Sequence, residues 1–281
     1  MLHRPLAVLA LVGVLLPLAT TAPVRSEGRP NALPDLRVAR GTQGISEAWF
    51  ADPTTRYQHF VLGSRYEAAS LVARLADGRT LVLTLPASSV FEDRQPRLAD
   101  LDGDGRDEIV VVRSEIGRGA ALAVVKVTGD TLAIAAETPP TGSQNTWINP
   151  AGIADFDGDG RLDVAYVQMP HILGRLRVWT LRGGRLVQIA SAENTSNHVA
   201  GSRQIGLAAV ADFNGDGVAD LAVPSLDRRT LRFFSFKGGV REFASKPLSS
   251  PAEGDFTVSR ENGRIGVTVG IGGRKTVIVT P

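Results

Sequence analysis

Beyond residue 45 the chain is a succession of short apolar runs rich in β-branched residues, separated by turns built on Gly, Asp and Asn. That is the pattern of β-strands. The runs group in fours: 45–51, 59–63, 70–76 and 80–85; then 97–100, 108–113, 120–127 and 131–136; then 152–155, 163–168, 174–181 and 186–190; then 205–212, 220–224, 230–236 and 240–243. The third and fourth runs of each group are joined by Asp77-Gly78, Gly129-Asp130, Gly183-Gly184 and Gly238-Gly239. Dipeptides of this kind tolerate the positive φ that tight hairpins demand. One turn recurring at one place in four groups marks a repeated four-stranded unit. The end of the chain supplies three more runs, 256–260, 265–270 and 276–280, with Asn262-Gly263 and Gly272-Gly273 as turns. An isolated run at 35–40, strand-like around Leu36 to Val38, has no partner nearby in sequence and is expected to complete this last unit.

Three of the connections between first and second runs share one acidic sequence: Asp100-Leu-Asp-Gly-Asp-Gly-Arg-Asp-Glu108, Asp155-Phe-Asp-Gly-Asp-Gly-Arg-Leu-Asp163 and Asp212-Phe-Asn-Gly-Asp-Gly-Val-Ala-Asp220. Positions 1, 3, 5 and 9 carry side-chain oxygens: Asp100, Asp102, Asp104 and Glu108; Asp155, Asp157, Asp159 and Asp163; Asp212, Asn214, Asp216 and Asp220. Position 7, which is Arg106, Arg161 or Val218, can add its backbone carbonyl. Hard oxygen donors in this number suit Ca²⁺. An EF-hand shares the first six positions but needs Glu at position 12 and flanking helices. Here position 12 is Val111, Tyr166 or Val223, and strand-like residues follow. The copies lie 55 and 57 residues apart. A repeated carboxylate cluster without a cation would repel itself, so three calcium sites are expected.

These loops resemble those of the FG-GAP or VCBS repeat proteins, the calcium-loop β-propellers that include integrin α-subunits. The resemblance covers Pro96 to about Val223 directly. It implies a propeller with calcium between the first and second strands of a blade. The fold expected is therefore all-β: a β-propeller of five four-stranded blades closed by the N-terminal strand, occupying 35–281. A seven-bladed ring at about 50 residues per blade would need roughly 350 residues. In the first blade, Asp52-Pro-Thr-Thr-Arg-Tyr-Gln-His59 takes the place of the calcium loop with a single carboxylate, and no metal is expected there; Arg260 to Arg264 is likewise read as a plain turn.

Composition adds a compartment. His3-Arg4 followed by an apolar run at 6–20 has the form of a secretory signal peptide, best cleaved after Ser26, with 27–34 a short polar lead. The run is too short for a secure membrane span. There is no cysteine, hence no disulfide and no lipid attachment at Cys. Arginine outnumbers lysine 27 to 4, a bias resembling GC-rich bacterial genomes, and a periplasmic or extracellular location is expected, where calcium is plentiful. Cleavage after Ser26 removes Arg4 and Arg25 and leaves 29 basic residues against 29 acidic ones. Eleven of those carboxylates stand at positions 1, 3, 5 and 9 of the three loops, so the remaining surface is basic and suits an anionic glycan or envelope component.

The loops opposite the calcium side contain Asn145, Trp147, Asn149, His171, Asn197, His198 and Arg203. Tryptophan with amide side chains can stack on and hydrogen-bond a sugar or peptide. Trp147 can equally plug the interior, while Trp49 and Trp179, inside strands, read as core. No H-E-x-x-H, G-x-S-x-G or Walker loop occurs. Glu47, Glu137 and Glu253 stay open as channel carboxylates. The reading is a monomeric, calcium-stabilised interaction scaffold for a protein or glycan ligand, without nucleic acid; the alternative is a lectin or glycan-active enzyme using the opposite face.

Overall fold

A computed structural model describes residues 28–261, 263–273 and 275–281. The leader at 1–26 and Asn262 of the Asn262-Gly263 turn lie outside the described residues. Met1–Pro30 and Asn31–Pro281 separate as two compact units, and everything below concerns the second. The described residues contain strands, turns and loops, with no helix long and apolar enough to cross a membrane.

Twenty strands make five antiparallel modules among the described residues. Module I is β1 (Ala39–Arg40), β2 (Ile45–Thr54), β3 (Glu67–Leu75) and β4 (Thr80–Thr84); β5 (Ser89–Phe91) pairs with β3 and leads to module II. Module II is β6 (Arg97–Ala99), β7 (Glu108–Glu115), β8 (Gly119–Thr128) and β9 (Thr131–Glu137). Module III is β10 (Ile148–Ala154), β11 (Asp163–Gln168), β12 (Arg175–Arg182) and β13 (Arg185–Ala192). Module IV is β14 (Ala209–Ala211), β15 (Asp220–Pro224), β16 (Thr230–Ser235) and β17 (Arg241–Pro247). Module V has three strands, β18 (Ala252–Glu261), β19 (Arg264–Ile271) and β20 (Lys275–Val279). β5 also pairs with β7, so modules I and II share one nine-stranded sheet.

The modules stack because their middle strands are apolar on both faces. In β7 the residues Ile109 to Val112 are all without solvent exposure. Side chains alternate across a strand, so Ile109 and Val111 enter the cluster shared with Phe50 and Leu71 of module I, while Val110 and Val112 enter the one shared with Tyr166 and Trp179 of module III. The same division recurs in β11, where Val164 and Tyr166 face module II and Ala165 and Val167 face module IV. Phe233 of β16 then packs with Val267 and Val269 of module V. Each fully buried Val, Ile or Phe contributes about 1.5–3 kcal/mol, which makes these shared layers the main stabilising element.

Three expectations need correction. The N-terminal strand does not complete the last unit: β1 pairs with β2 through Ala39 and Ala48, and residues 31–33 bond the far half of β2. The physical reason is an uncovered face of module I, where Trp49, Ala51 and Val72 are buried by Ala32, Leu36 and Val38. Residues 59–63 are not a strand, because Gln58, Phe60 and Gly63 take positive φ (61°, 54° and 70°) and curl the chain into a loop. Consequently Asp52 sits inside β2, and the connection in module I that corresponds to the acidic loops is 41–44, Gly-Thr-Gln-Gly. No hydrophobic cluster among the described residues joins module V to module I.

Gly174 ties two loops together. It has φ +62°, its carbonyl accepts from Thr195 N at 2.8 Å, and an added Cβ would stand 2.3 Å from the Thr195 carbonyl oxygen. Gly174→Ala therefore costs at least about 1 kcal/mol and lowers Tm by several degrees in a thermal melt. An unchanged Tm would show that the 174–195 contact is not a constraint.

Candidate functional site

The acidic loops fold by using their own carboxylates as turn acceptors. In the first, Asp100 Oδ1 accepts from Gly103 N (2.8 Å) and Asp104 N (3.1 Å), and its Oδ2 accepts from Gly105 N (2.9 Å). Asp155 repeats this with Gly158 N and Gly160 N at 2.8 and 2.9 Å, and Asp212 with Gly215 N and Gly217 N at 2.7 and 2.9 Å. These glycines have φ between 76° and 86°, a range in which a side chain is strained. The position-9 carboxylate pins the loop from below: Glu108 accepts from Leu101 N, Asp163 from Phe156 N and Asp220 from Phe213 N, at 2.8 to 3.1 Å. The position-2 side chains Leu101, Phe156 and Phe213 are buried and root each loop in the core. The Leu or Phe at position 2 was a legible signal for this anchoring that the spacing of the acids alone misses.

Carboxylate oxygens of Asp100, Asp102 and Glu108 lie within 4.8 Å of one another, as do those of Asp155, Asp157 and Asp163. In the third loop Asn214 replaces one acid, and its Nδ2 donates to Asp220 Oδ1 at 3.2 Å. Burial pushes Asp163 up to about 6, with Asp157 and Asp159 adding repulsion, and burial likewise pushes Asp220 up to about 6. Asp163 Oδ1 is buried without a hydrogen-bond partner. A buried, unpartnered carboxylate oxygen among other carboxylates is what a hard cation would satisfy, so the residues present fit calcium.

The three loops differ in the cations that protein side chains bring to them. Lys126 of β8 stands directly across from the first loop, 3.2 Å from Glu108 and 3.7 Å from Asp104, and it also bonds Asp102. Burial alone would lower this lysine, but its bonds to Asp102 and Glu108 outweigh burial and hold it above the usual range. The second loop meets Arg182 at 2.9 Å from Asp159 and 3.7 Å from Asp157, and the third meets Lys237 at 3.9 Å from Asp216, both from beyond the rim. Positions 126, 182 and 237 all sit on or just after the third strand of their module.

At the opposite end the candidate ligand residues divide. Asn145 and Arg203 are exposed and His171 is half-buried, whereas Trp147, Asn149, Asn197 and His198 are buried and face the interior. Trp147 Nε1 donates to the Glu92 carbonyl at 2.8 Å, so it plugs the interior. Asn149 and Asn197 clamp two connections reciprocally: each amide donates to the other's backbone carbonyl at 2.9 Å. Trp49 and Trp179 are core. Of the three open carboxylates, Glu47 pairs with Arg74, Glu137 with Arg113, and Glu253 accepts from Gly273 N.

Sequence reasoning missed a second group here. His59 Nδ1 lies 2.5 Å from Glu92 Oε1, and Ser114 Oγ donates to Glu92 Oε2 at 2.5 Å. Burial raises Glu92, and burial raises Glu67, whose Oε1 accepts from His59 N at 3.2 Å. His171 Nε2 is 2.9 Å from His198 Nδ1, and His198 Nε2 is 3.1 Å from the Ser202 carbonyl. A carbonyl only accepts, so His198 Nε2 carries the hydrogen; neutral His198 then accepts at Nδ1 from His171 Nε2–H, and the Nδ1 lone pair of His171 is left bare. Burial pushes both His171 and His198 down to about 4.

The profile of the family described as FG-GAP-like repeat matches residues 100–166 and 155–223, which run from the first acidic loop in module II to β15 in module IV and include all three acidic loops. Residues 100–223 of the chain carry FG-GAP-like repeats. No curated protein matches it in sequence. Similar solved structures are the exotype rhamnogalacturonan lyase YesX (16% identity, 90% of this chain and 56% of that one, TM-score 0.46), the Bacillus licheniformis rhamnogalacturonan lyase PL11 (14%, 89% and 59%, 0.47) and the rhamnogalacturonan lyase YesW (13%, 85% and 58%, 0.42). The chain spans under three fifths of the length of each of these lyases.

Two outcomes follow for the FG-GAP loops and the histidine pair. Lys126→Ala raises the first loop's calcium affinity on the order of tenfold by removing a competing charge; calcium titration calorimetry reads it, and an unchanged isotherm refutes the competition. His171 and His198 bind fewer protons folded than unfolded between about pH 4 and 6.5, so stability is lost as pH falls through that window. In calcium-saturated buffer, His198→Gln gives a shallower fall of Tm from pH 6.5 to 4 than the parent chain, and parallel curves would refute the assignment.

Proposed function

We propose that this protein is an exported, calcium-stabilised β-propeller of five blades, the last of three strands, which serves as an interaction scaffold. The observation that carries the reading is the buried Asp163 oxygen without a partner, held among Asp155 and Asp157 by a loop whose fold is otherwise complete. Asp155, Asp157, Asp159 and Asp163, with the Arg161 carbonyl, would hold the ion in the second loop; the corresponding residues of the first and third loops would do so there. Calcium, when bound, supplies the positive charge that offsets carboxylate repulsion. The protein's own part is to keep those oxygens on a turn that is already formed, so binding energy adds to folding energy by mass action. Export, expected from the leader at 1–26, supports the reading because weak extracellular calcium modules fill at millimolar calcium.

Antiparallel order puts the loops after β9, β11 and β13 at the end of the modules away from the acidic turns. That end would meet the partner, a protein or glycan. The Asn149–Asn197 clamp and the Trp147 plug make it a rigid platform, and Asn145, His171, Ile172 and Arg203 reach its surface. Rigid loops on a repeat scaffold suit recognition.

Calcium counting and calorimetry on the exported chain test the proposal. Bound calcium is expected at the acidic loops, with a large fall in Tm on chelation. Asp157→Ala removes one ion and lowers Tm in calcium buffer while leaving the metal-free Tm nearly unchanged. A calcium-free protein, or a chelator-insensitive Tm, would overturn it.

A further inference from the structure

Histidine and methionine are scarce in this chain, and the described residues gather them in one place. His59, His171 and His198 are the only described histidines and Met169 the only described methionine. His59, Met169 and His171 line a single cavity of about 70 Å³ with Trp147, and His198 supports His171 from behind. The residues come from three separate connections, 55–66, 138–147 and 169–174.

Two of its lining histidines each keep one ring nitrogen free of a hydrogen bond among the described residues. The Nδ1–H of His59 goes to the buried Glu92 carboxylate, which leaves Nε2 as the ring's open position, without a hydrogen bond among the described residues. The relay from the Ser202 carbonyl through His198 leaves Nδ1 of His171 open in the same way. An imidazole whose other nitrogen is held by a carboxylate or by a carbonyl-anchored partner is the usual arrangement of a metal-binding histidine, because the outer bond sets the tautomer and ring orientation. The Trp147 ring stacks at 6.3 Å and 13° on His171 and shields it. Of the eight described non-glycine residues with positive φ, Gln58 and Phe60 flank His59, and Asn145 and Met169 line the cavity. Backbone held against its preference in this way gathers where geometry is functionally constrained.

A thioether residue and two imidazoles lining one cavity make a soft donor set, unsuited to calcium or magnesium and suited to copper. We propose that the cavity is a copper site, with His59 Nε2, His171 Nδ1 and the Met169 sulfur as ligands. It is separate from the acidic loops in place and in chemistry, and does not depend on them for its donors.

The test uses the calcium-saturated full chain under anaerobic conditions, titrated with Cu(I) against the chromophoric chelator bicinchoninate, and with Cu(II) followed by electron paramagnetic resonance. One copper ion per chain is expected to be withdrawn from the chelator. His171→Gln weakens both oxidation states by about tenfold or more. Met169→Leu, close in volume and so expected to fold, weakens Cu(I) on the order of tenfold and Cu(II) much less. Failure to withdraw copper overturns the proposal, and so does an affinity that survives either His171→Gln or Met169→Leu. If His171→Gln does not fold, judged by its melt in calcium, Met169→Leu alone decides.

Discussion

A four-stranded sheet whose central strands are apolar on both faces cannot stand in water by itself, and that constraint organises the whole chain. Each module gains stability only by pressing both faces against neighbours, as in other repeat architectures. The alternation of Ile109 and Val111 against Val110 and Val112 is the local form of the rule: one strand serves two cores. Modules II, III and IV satisfy it with flanking modules. Module I satisfies its outer face differently, with the irregular segment carrying Ala32, Leu36 and Val38 laid over Trp49 and Val72. At the other extreme β20 pairs on one side only, and Ile278 is exposed on it.

The acidic turns fit this logic because they occur at the start of a strand buried on both sides. Asp163 and Asp220 are the first residues of β11 and β15 and have no exposure, as Glu108 has almost none in β7. A carboxylate there is costly unless its oxygens are taken up. Backbone amides at position 2 take up one oxygen in each case, and the remaining demand differs by loop. Lys126 meets it in the first, Asn214 partly meets it in the third, and in the second Asp163 Oδ1 makes no well-formed hydrogen bond and has only the Thr180 hydroxyl near it. Three loops of nearly one sequence therefore present three electrostatic situations, decided by Lys126 across the sheet in the first and by Asn214 within the loop in the third.

Much of this was legible in the sequence, and the misses have physical causes. The strands of modules II to IV and the 3-to-4 hairpins could be read because Gly-containing turns punctuate β-branched runs; the acidic loops could be read because glycines at positions 4 and 6 alternate with acids. His59 to Gly63 reads as a strand because His-Phe-Val-Leu is apolar, but positive φ at Gln58 and Phe60 is a tertiary effect with no local code. β5 has three residues, too few for a period. Glu92-Asp93-Arg94 is a run of three charges that is nevertheless buried, its charges spent on His59, Arg97 and Asp35. Trp147 was ambiguous because burial of its indole depends on one distant acceptor, the Glu92 carbonyl.

The two ends of the modules are mechanically one object. Strand β11 begins at Asp163 in the second acidic turn and ends at Gln168, and the next residue is Met169 of the histidine cavity. Six residues of strand span roughly 20 Å, with Val164 to Val167 buried on alternate faces in two cores. Such a strand cannot shift by one residue without turning its apolar set toward the wrong core. The turn that orders Asp163 thus also sets the register in which Met169 and His171 are delivered at the far end. Asn149 and Asn197 then lock that delivery against the neighbouring connection. Order at the acidic end is inherited by the opposite face through strand register.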